Sequence, residues 1–155
     1  MYVAVAGTFG PLHDGHRTLF EHALRFGDDG VVVALTSDEL AVETRTQPRE
    51  IPAFDDRVRR VTDAIEDLDE WGRDIEVREL TSEYGIAEDD PEIDALVVSP
   101  ETASELEEIN DRRRERGLDP LSGIVAPYAL ADDGERISST RIVAGEIDEH
   151  GASIE

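Results

Sequence analysis

The sequence predicts an α/β fold: a doubly wound parallel sheet of about five strands with helices on both faces. Two observations lead there. Short, near-continuous apolar runs, the pattern of strands covered on both sides, alternate along the chain with stretches of helical apolar spacing. The first run also ends at a glycine and passes through a histidine-bearing loop into a helix, so the loop lies beyond the carboxyl end of a strand, where such sheets bind ligands.

Taken in order, Tyr2-Val3-Ala4-Val5-Ala6 reads as a buried first strand. Gly7 lets the chain turn sharply and Pro11 stiffens the loop. Leu19, Phe20, Ala23 and Leu24 recur at helical spacing, with Asp14 or Thr18 as the expected cap. Residues 31–35 form the second strand. Phe54, Val58, Val61, Ile65, Leu68 and Trp71 mark an amphipathic helix. Residues 75–80 and 95–98 are further strands, with the acidic stretch 88–92 expected as a surface loop between them. Ala103, Leu106 and Ile109 mark another helix that should stop at Gly117. Residues 124–128 make the fifth strand. Neither an internal repeat nor a break in composition divides the chain, so residues 1–155 read as one domain, with the last residues expected as a short tail.

Leu, Ile, Val and Phe supply about a quarter of the residues, above the roughly 20% typical of disordered chains, so a core is expected despite the charge. The net charge is −23, and all 15 basic residues are arginine. Such a balance opposes binding to nucleic acid and to anionic membranes. It would also repel a nucleotide at low salt. The conflict disappears in concentrated salt, where the Debye length falls to roughly 3 Å or less. The acidity therefore reads as adaptation to a salt-loaded cytoplasm; an acidic interaction surface is the plainer alternative. Cysteine is absent, in keeping with a reducing, cytoplasmic setting. Residues 1–6 are too short an apolar run, and lack the basic preamble, for a targeting segment, and no stretch is long enough to span a membrane.

His13 and His16 fall around a helix N-terminus, where unpaired N–H groups and the positive end of the helix dipole favour an anion. A triphosphate suits that place. By spacing alone, a capped and solvated turn is the commoner meaning of two histidines three apart. A closed zinc site is weaker still with four histidines and no cysteine in the chain.

The segment Gly7-Thr8-Phe9-Gly10-Pro11-Leu12-His13-Asp14-Gly15-His16 resembles the G-T-F-x-P-x-H-x-G-H signature of the adenylyl- and cytidylyltransferase superfamily. The superfamily's second motif, a hydroxyl-rich helix start, is matched by Ile137-Ser138-Ser139-Thr140-Arg141-Ile142. Further matches, Val97-Val98-Ser99-Pro100-Glu101-Thr102, Ile109-Asn110-Asp111-Arg112-Arg113, Gly117-Leu118, Thr36-Ser37-Asp38-Glu39 and Gly145-Glu146-Ile147-Asp148, resemble the archaeal and eukaryotic phosphopantetheine adenylyltransferases over nearly the whole chain. The resemblance implies a Rossmann-like nucleotidyltransferase fold and transfer of the adenylyl group of ATP to 4′-phosphopantetheine, giving dephospho-coenzyme A and pyrophosphate.

On that resemblance His13 and His16 donate to the triphosphate and its developing charge, and Thr8 places the attacking phosphate. Phe9, Gly15, Ser99, Pro100, Glu101 and Thr102 lie near the nucleotide. Ser138, Ser139 and Thr140 hold the β- and γ-phosphates, and Arg141 adds a charge-assisted contact. Any of the three hydroxyls would equally serve as a simple helix cap, as would Ser99, Thr102 or Asp38. Magnesium is expected on the nucleotide phosphates with most of its waters, so no protein cage is named for it. The resemblance leans toward a monomer.

Two departures from the family pattern stand out. Gly10 occupies a position where many superfamily members carry aspartate. The basic residue after the second strand, often lysine, must here be Arg45 or Arg49, whose planar fork also suits a phosphate. Arg57 is a third candidate, though on a helix a solvated charged face is its plainer meaning, and the triplet at 112–114 is similarly ambiguous.

Two other functional readings stay open. A nicotinamide-nucleotide adenylyltransferase or a small cytidylyltransferase would keep both motifs with another acceptor. A non-catalytic nucleotide- or metal-binding module would use His13, His16 and Asp14 as ligands.

Overall fold

The computed structural model describes residues 1–43, 51–82 and 84–154. Five strands, β1 (Tyr2–Gly7), β2 (Gly30–Thr36), β3 (Ile75–Leu80), β4 (Ala95–Val98) and β5 (Ser122–Val125), form one parallel sheet in the order β3-β2-β1-β4-β5. Among the described residues the helices are α1 (Asp14–Phe26), α2 (Asp38–Glu43), α3 (Phe54–Leu68), α4 (Gly85–Asp89), α5 (Glu105–Glu115) and α6 (Ser139–Val143).

Alternate strand residues feed two cores. Val3, Val5, Val31, Val33 and Leu35 pack with Phe20 and Leu24 of α1 and Val61 and Ile65 of α3. Ala4, Val32, Leu96 and Val98 pack on the opposite face with Ala87 of α4 and Ile109 of α5. β2 is buried along its whole length, which is why its sequence is an unbroken apolar run. Each fully buried Val, Leu or Ile contributes about 1.5–3 kcal/mol to holding the layers together. No described helix is long and apolar enough to cross a membrane.

The strand order reverses beside β1, and the two ladders there differ. β1 pairs with β2 from Tyr2–Gly30 through Gly7–Leu35, but with β4 only at Val3–Ala95 and Ala4–Leu96. β1 and β4 therefore part toward their carboxyl ends. That opening positions the site.

Several boundaries differ from the sequence reading for identifiable reasons. β5 ends at Val125, not 128: the Ala126 N–H still donates to the Val98 carbonyl at 2.8 Å, but Pro127 has no N–H with which to continue. α3 stops at Leu68 because Asp69 accepts from the N–H groups of Trp71, Gly72 and Arg73, leaving Trp71 outside the helix and exposed. The cap of α1 is His13, neither Asp14 nor Thr18; Thr18 instead donates back to the Asp14 carbonyl at 3.0 Å. The stretch 88–92 is partly helical, with Glu88 in α4 paired to Arg112 and Arg116. α5 gives way to Gly117, whose φ of 74° is left-handed and so suits glycine.

Candidate active site

The loop after β1 is folded against its own helix. His13 caps α1 by accepting the Gly15 N–H on Nδ1 at 3.0 Å. With Nδ1 an acceptor, the neutral ring carries its proton on Nε2, a donor. The His16 ring stacks on the His13 ring, with centroids 3.7 Å apart and planes at 22°. Phe9 meets His16 edge-on at 5.1 Å and tilts against Phe20 at 5.0 Å. Phe9 itself has a φ of 54°, a left-handed conformation costing about 1–3 kcal/mol in a residue of this size, held by this ring packing at 2% exposure.

Thr8 is fixed from behind. The Thr36 hydroxyl at the end of β2 donates to the Thr8 hydroxyl at 3.0 Å, within the core. Arg57, with no exposed surface, donates through Nη1 to the carbonyls of Thr8 (3.0 Å) and Thr36 (2.8 Å). Its Nε reaches the Pro52 carbonyl at 2.8 Å, and its Nη2 the Asp38 carboxylate at 3.0 Å. The reading of Arg57 as a solvated helix face is thus corrected: it lies one turn before Val61 on the buried face of α3 and ties the ends of β1 and β2 to α2. Its position four residues before Val61 was the available signal. Arg113 repeats the pattern four residues after Ile109, buried and donating to the carbonyls of Ala87, Asp90 and Asp119, with burial lowering its pKa. Asp38 also accepts the Phe54 N–H, so it caps α3, while Ser37 caps α2 by accepting from Leu40.

Two of the cavities on this loop open beside Thr8. One, of about 280 Å³, lies between the parted ends of β1 and β4 and is lined mainly by apolar groups, among them Ala6, Leu80, Ile86 and Val98, with Thr8, Thr36, Thr102, Tyr84 and Glu105 as its polar members. The other, of about 440 Å³, is a polar cleft lined by Thr8, Phe9, His13, Gly15, His16, Ser99, Glu101, Tyr128, Arg136, Ser138, Ser139 and Thr140. Thr8 borders both.

The sequence-predicted residues are distributed accordingly. Ser138 caps α6 by accepting the Arg141 N–H at 3.2 Å, and Ser139 donates its hydroxyl to the Pro11 carbonyl at 2.7 Å, tying the second motif to the first. Ser99 and Thr102 bond each other reciprocally, the Ser99 N–H to the Thr102 hydroxyl at 3.0 Å and the Thr102 N–H to the Ser99 hydroxyl at 3.3 Å. Thr102 faces the apolar cavity, and Pro100 lines neither. Arg141 does not line the cleft either: it pairs with Asp133 and Glu146 and donates to the Arg136 carbonyl. The Asp133 hydrogen bond raises the Arg141 pKa, and Arg141 in turn lowers that of Asp133. Arg45 and Arg49 lie outside the described residues. Sequence reasoning missed Thr36 and Arg136, the latter adjoining the second motif without belonging to its hydroxyl pattern.

Comparison with known proteins agrees with this geometry. Residues 4–145 match the family model described as cytidylyltransferase-like. A phosphopantetheine adenylyltransferase of Methanopyrus kandleri is 43% identical over 95% of this chain and 90% of its own length. Another, from Archaeoglobus fulgidus, is 36% identical over 99% of this chain and 100% of its own. A crystal structure of an Archaeoglobus fulgidus protein of unknown function superposes over 100% of both chains with a TM-score of 0.69 at 27% identity. The chain belongs to the cytidylyltransferase-like family and, within it, to the phosphopantetheine adenylyltransferases.

Proposed function

We propose that the polar cleft binds ATP, that the apolar cavity takes the arm of 4′-phosphopantetheine, and that adenylyl transfer occurs where the two meet at Thr8. The observation carrying this reading is the shared border: a residue reachable from both cavities sits beside two stacked histidines at a helix N-terminus.

The acceptor phosphate, with a second ionisation near pH 6, is largely dianionic at neutral pH and attacks without a general base. An oxygen of that phosphate bonds to the α-phosphorus, the bridging bond to the β-phosphate breaks, and pyrophosphate leaves. Positioning and charge stabilisation then supply the catalysis. Thr8, held by Thr36 and Arg57, locates the attacking phosphate. His13, as a donor through Nε2, and His16 stabilise charge growing on the transferring group. Ser138 and Thr140 face the departing phosphates from the start of α6, while Ser139 keeps that start against the first loop. Arg45 or Arg49 would meet the acceptor phosphate.

Magnesium neutralises charge on the phosphates in such transfers. Such an ion would enter on the nucleotide with most of its waters. The net charge of −23 fits a cytoplasm rich in salt, and the chain is proposed to act there as a monomer.

The test is pyrophosphate release in concentrated potassium chloride with magnesium and ATP, comparing 4′-phosphopantetheine, nicotinamide mononucleotide and no acceptor. Release with 4′-phosphopantetheine alone is expected. Release only with nicotinamide mononucleotide would overturn the acceptor, and binding of ATP without release in any arm would favour a binding module.

A further inference from the structure

We propose that Arg136 is the cation that receives the nucleotide's phosphates, and that Glu101 holds its guanidinium in the free protein as a stand-in for them. The inference rests on the reading of the polar cleft as the ATP site.

A triphosphate entering a protein of net charge −23 needs a local positive group, and this chain has no lysine to provide one. Among the described residues lining the cleft, Arg136 is the arginine. Arg141, which the second motif had suggested for the task, is turned to Asp133 and Glu146. It instead fixes Arg136 from behind by donating to its carbonyl at 3.0 Å. The backbone of Arg136 also bridges to Leu130, and its guanidinium lies over the Tyr128 ring, 5.5 Å from the centroid. The stem is therefore anchored while the head reaches into the cleft.

That head is ion-paired with Glu101, whose hydrogen bond holds the guanidinium above its ordinary pKa. Glu101 is 57% exposed and Arg136 45%, so the pair sits in water, where such contacts are weak and readily exchanged. A phosphate chain offers more negative charge and more acceptor oxygens to the planar fork than one carboxylate does. Glu101 lies in the turn that comes after β4 and has solvent to move into. On binding, the ion pair opens, phosphate oxygens take the guanidinium, and no carboxylate remains buried against them.

The experiment titrates wild type, Arg136→Gln, Arg136→Lys and Glu101→Gln with ATP, AMP and 4′-phosphopantetheine at one fixed salt concentration. Arg136→Gln is expected to weaken ATP about ten- to a hundredfold, the range for losing a charged hydrogen bond. AMP, which lacks the outer phosphates, and 4′-phosphopantetheine should bind within about twofold of wild type, and their binding also shows that the variant is folded. Arg136→Lys should recover part of the loss, and Glu101→Gln should tighten ATP a few-fold by removing the competitor. Unchanged ATP affinity in Arg136→Gln, or an equal loss for AMP, would overturn the proposal. A wild-type protein that binds 4′-phosphopantetheine but no ATP would instead overturn the reading of the cleft.

Discussion

Behind Thr8 the chain is held by a guanidinium with no exposed surface, whereas across the cleft the rim is edged by ion pairs that stand partly in water. Arg57 and Arg136 are the same residue type used in opposite ways. Arg57 satisfies the carbonyls of Pro52, Thr8 and Thr36 in the core, with Asp38 its charged partner among the described residues. Removing it would strand those buried acceptors, and the cost would fall on folding. Arg136 and Arg141 make pairs with exposed carboxylates, which contribute little and weaken further with salt. One wall of the site is built to stay as it is; the other can change partners.

The largest expected effect lies at the seam between the two walls. His16→Ala should lower kcat by about 100- to 1,000-fold, as for losing one transition-state donor. Single-turnover kinetics with saturating ATP measure it, and near-normal turnover would remove the seam from the chemistry. Next comes the fixed wall. Arg57→Met should cost about 3 kcal/mol and lower Tm by about 6–12 °C, read by thermal unfolding. A loss no larger than that of Arg136→Gln would erase the contrast. Thr36→Val takes away the hydroxyl that donates to Thr8 and should cut kcat/KM for the acceptor about tenfold, with Thr36→Ser restoring it.

The smallest effect belongs to the exchangeable wall. The hydrogen bond from Arg141 holds the Asp133 carboxyl below its ordinary value. A carboxylate depressed in this way contributes stability above the ordinary carboxylate range near pH 4 and loses it as pH falls through the depressed value. Asp133→Asn should therefore leave the Tm near that of wild type at pH 7 in concentrated salt, and the difference that remains at low salt should vanish on acidification. A substantial loss at high salt would mean the rim is also structural.

The same contrast explains what was legible in the sequence. β4 falls where its apolar run places it and β2 extends one residue beyond its run at each end, because double-sided burial leaves little choice of residue, whereas β3, at the sheet edge and only partly buried, was marked by Ile75, Val77 and Leu80 among charged neighbours. Both motifs converge in one cleft as their order along the chain implies. Arg57 and Arg113 were obscured because a charged residue on an apolar stripe reads as the edge of the solvated face until the carbonyls it reaches are known. Those carbonyls come from strand and helix ends 21 to 49 residues away for Thr36, Thr8 and Ala87. Arg141 was favoured over Arg136 by its place in the motif, and only the positions of Asp133 and Glu101 separate the two. His13 as a cap was hidden because Asp14 and Thr18 are commoner cap types than histidine.

The division of labour between the two cavities is tested most directly by filling one of them. Ile86→Trp adds bulk to the apolar cavity without touching the polar cleft. Titration of this variant with ATP and with 4′-phosphopantetheine should give unchanged ATP affinity and acceptor binding weakened by at least about tenfold. Weakened ATP with intact acceptor binding would contradict the assignment of the two cavities.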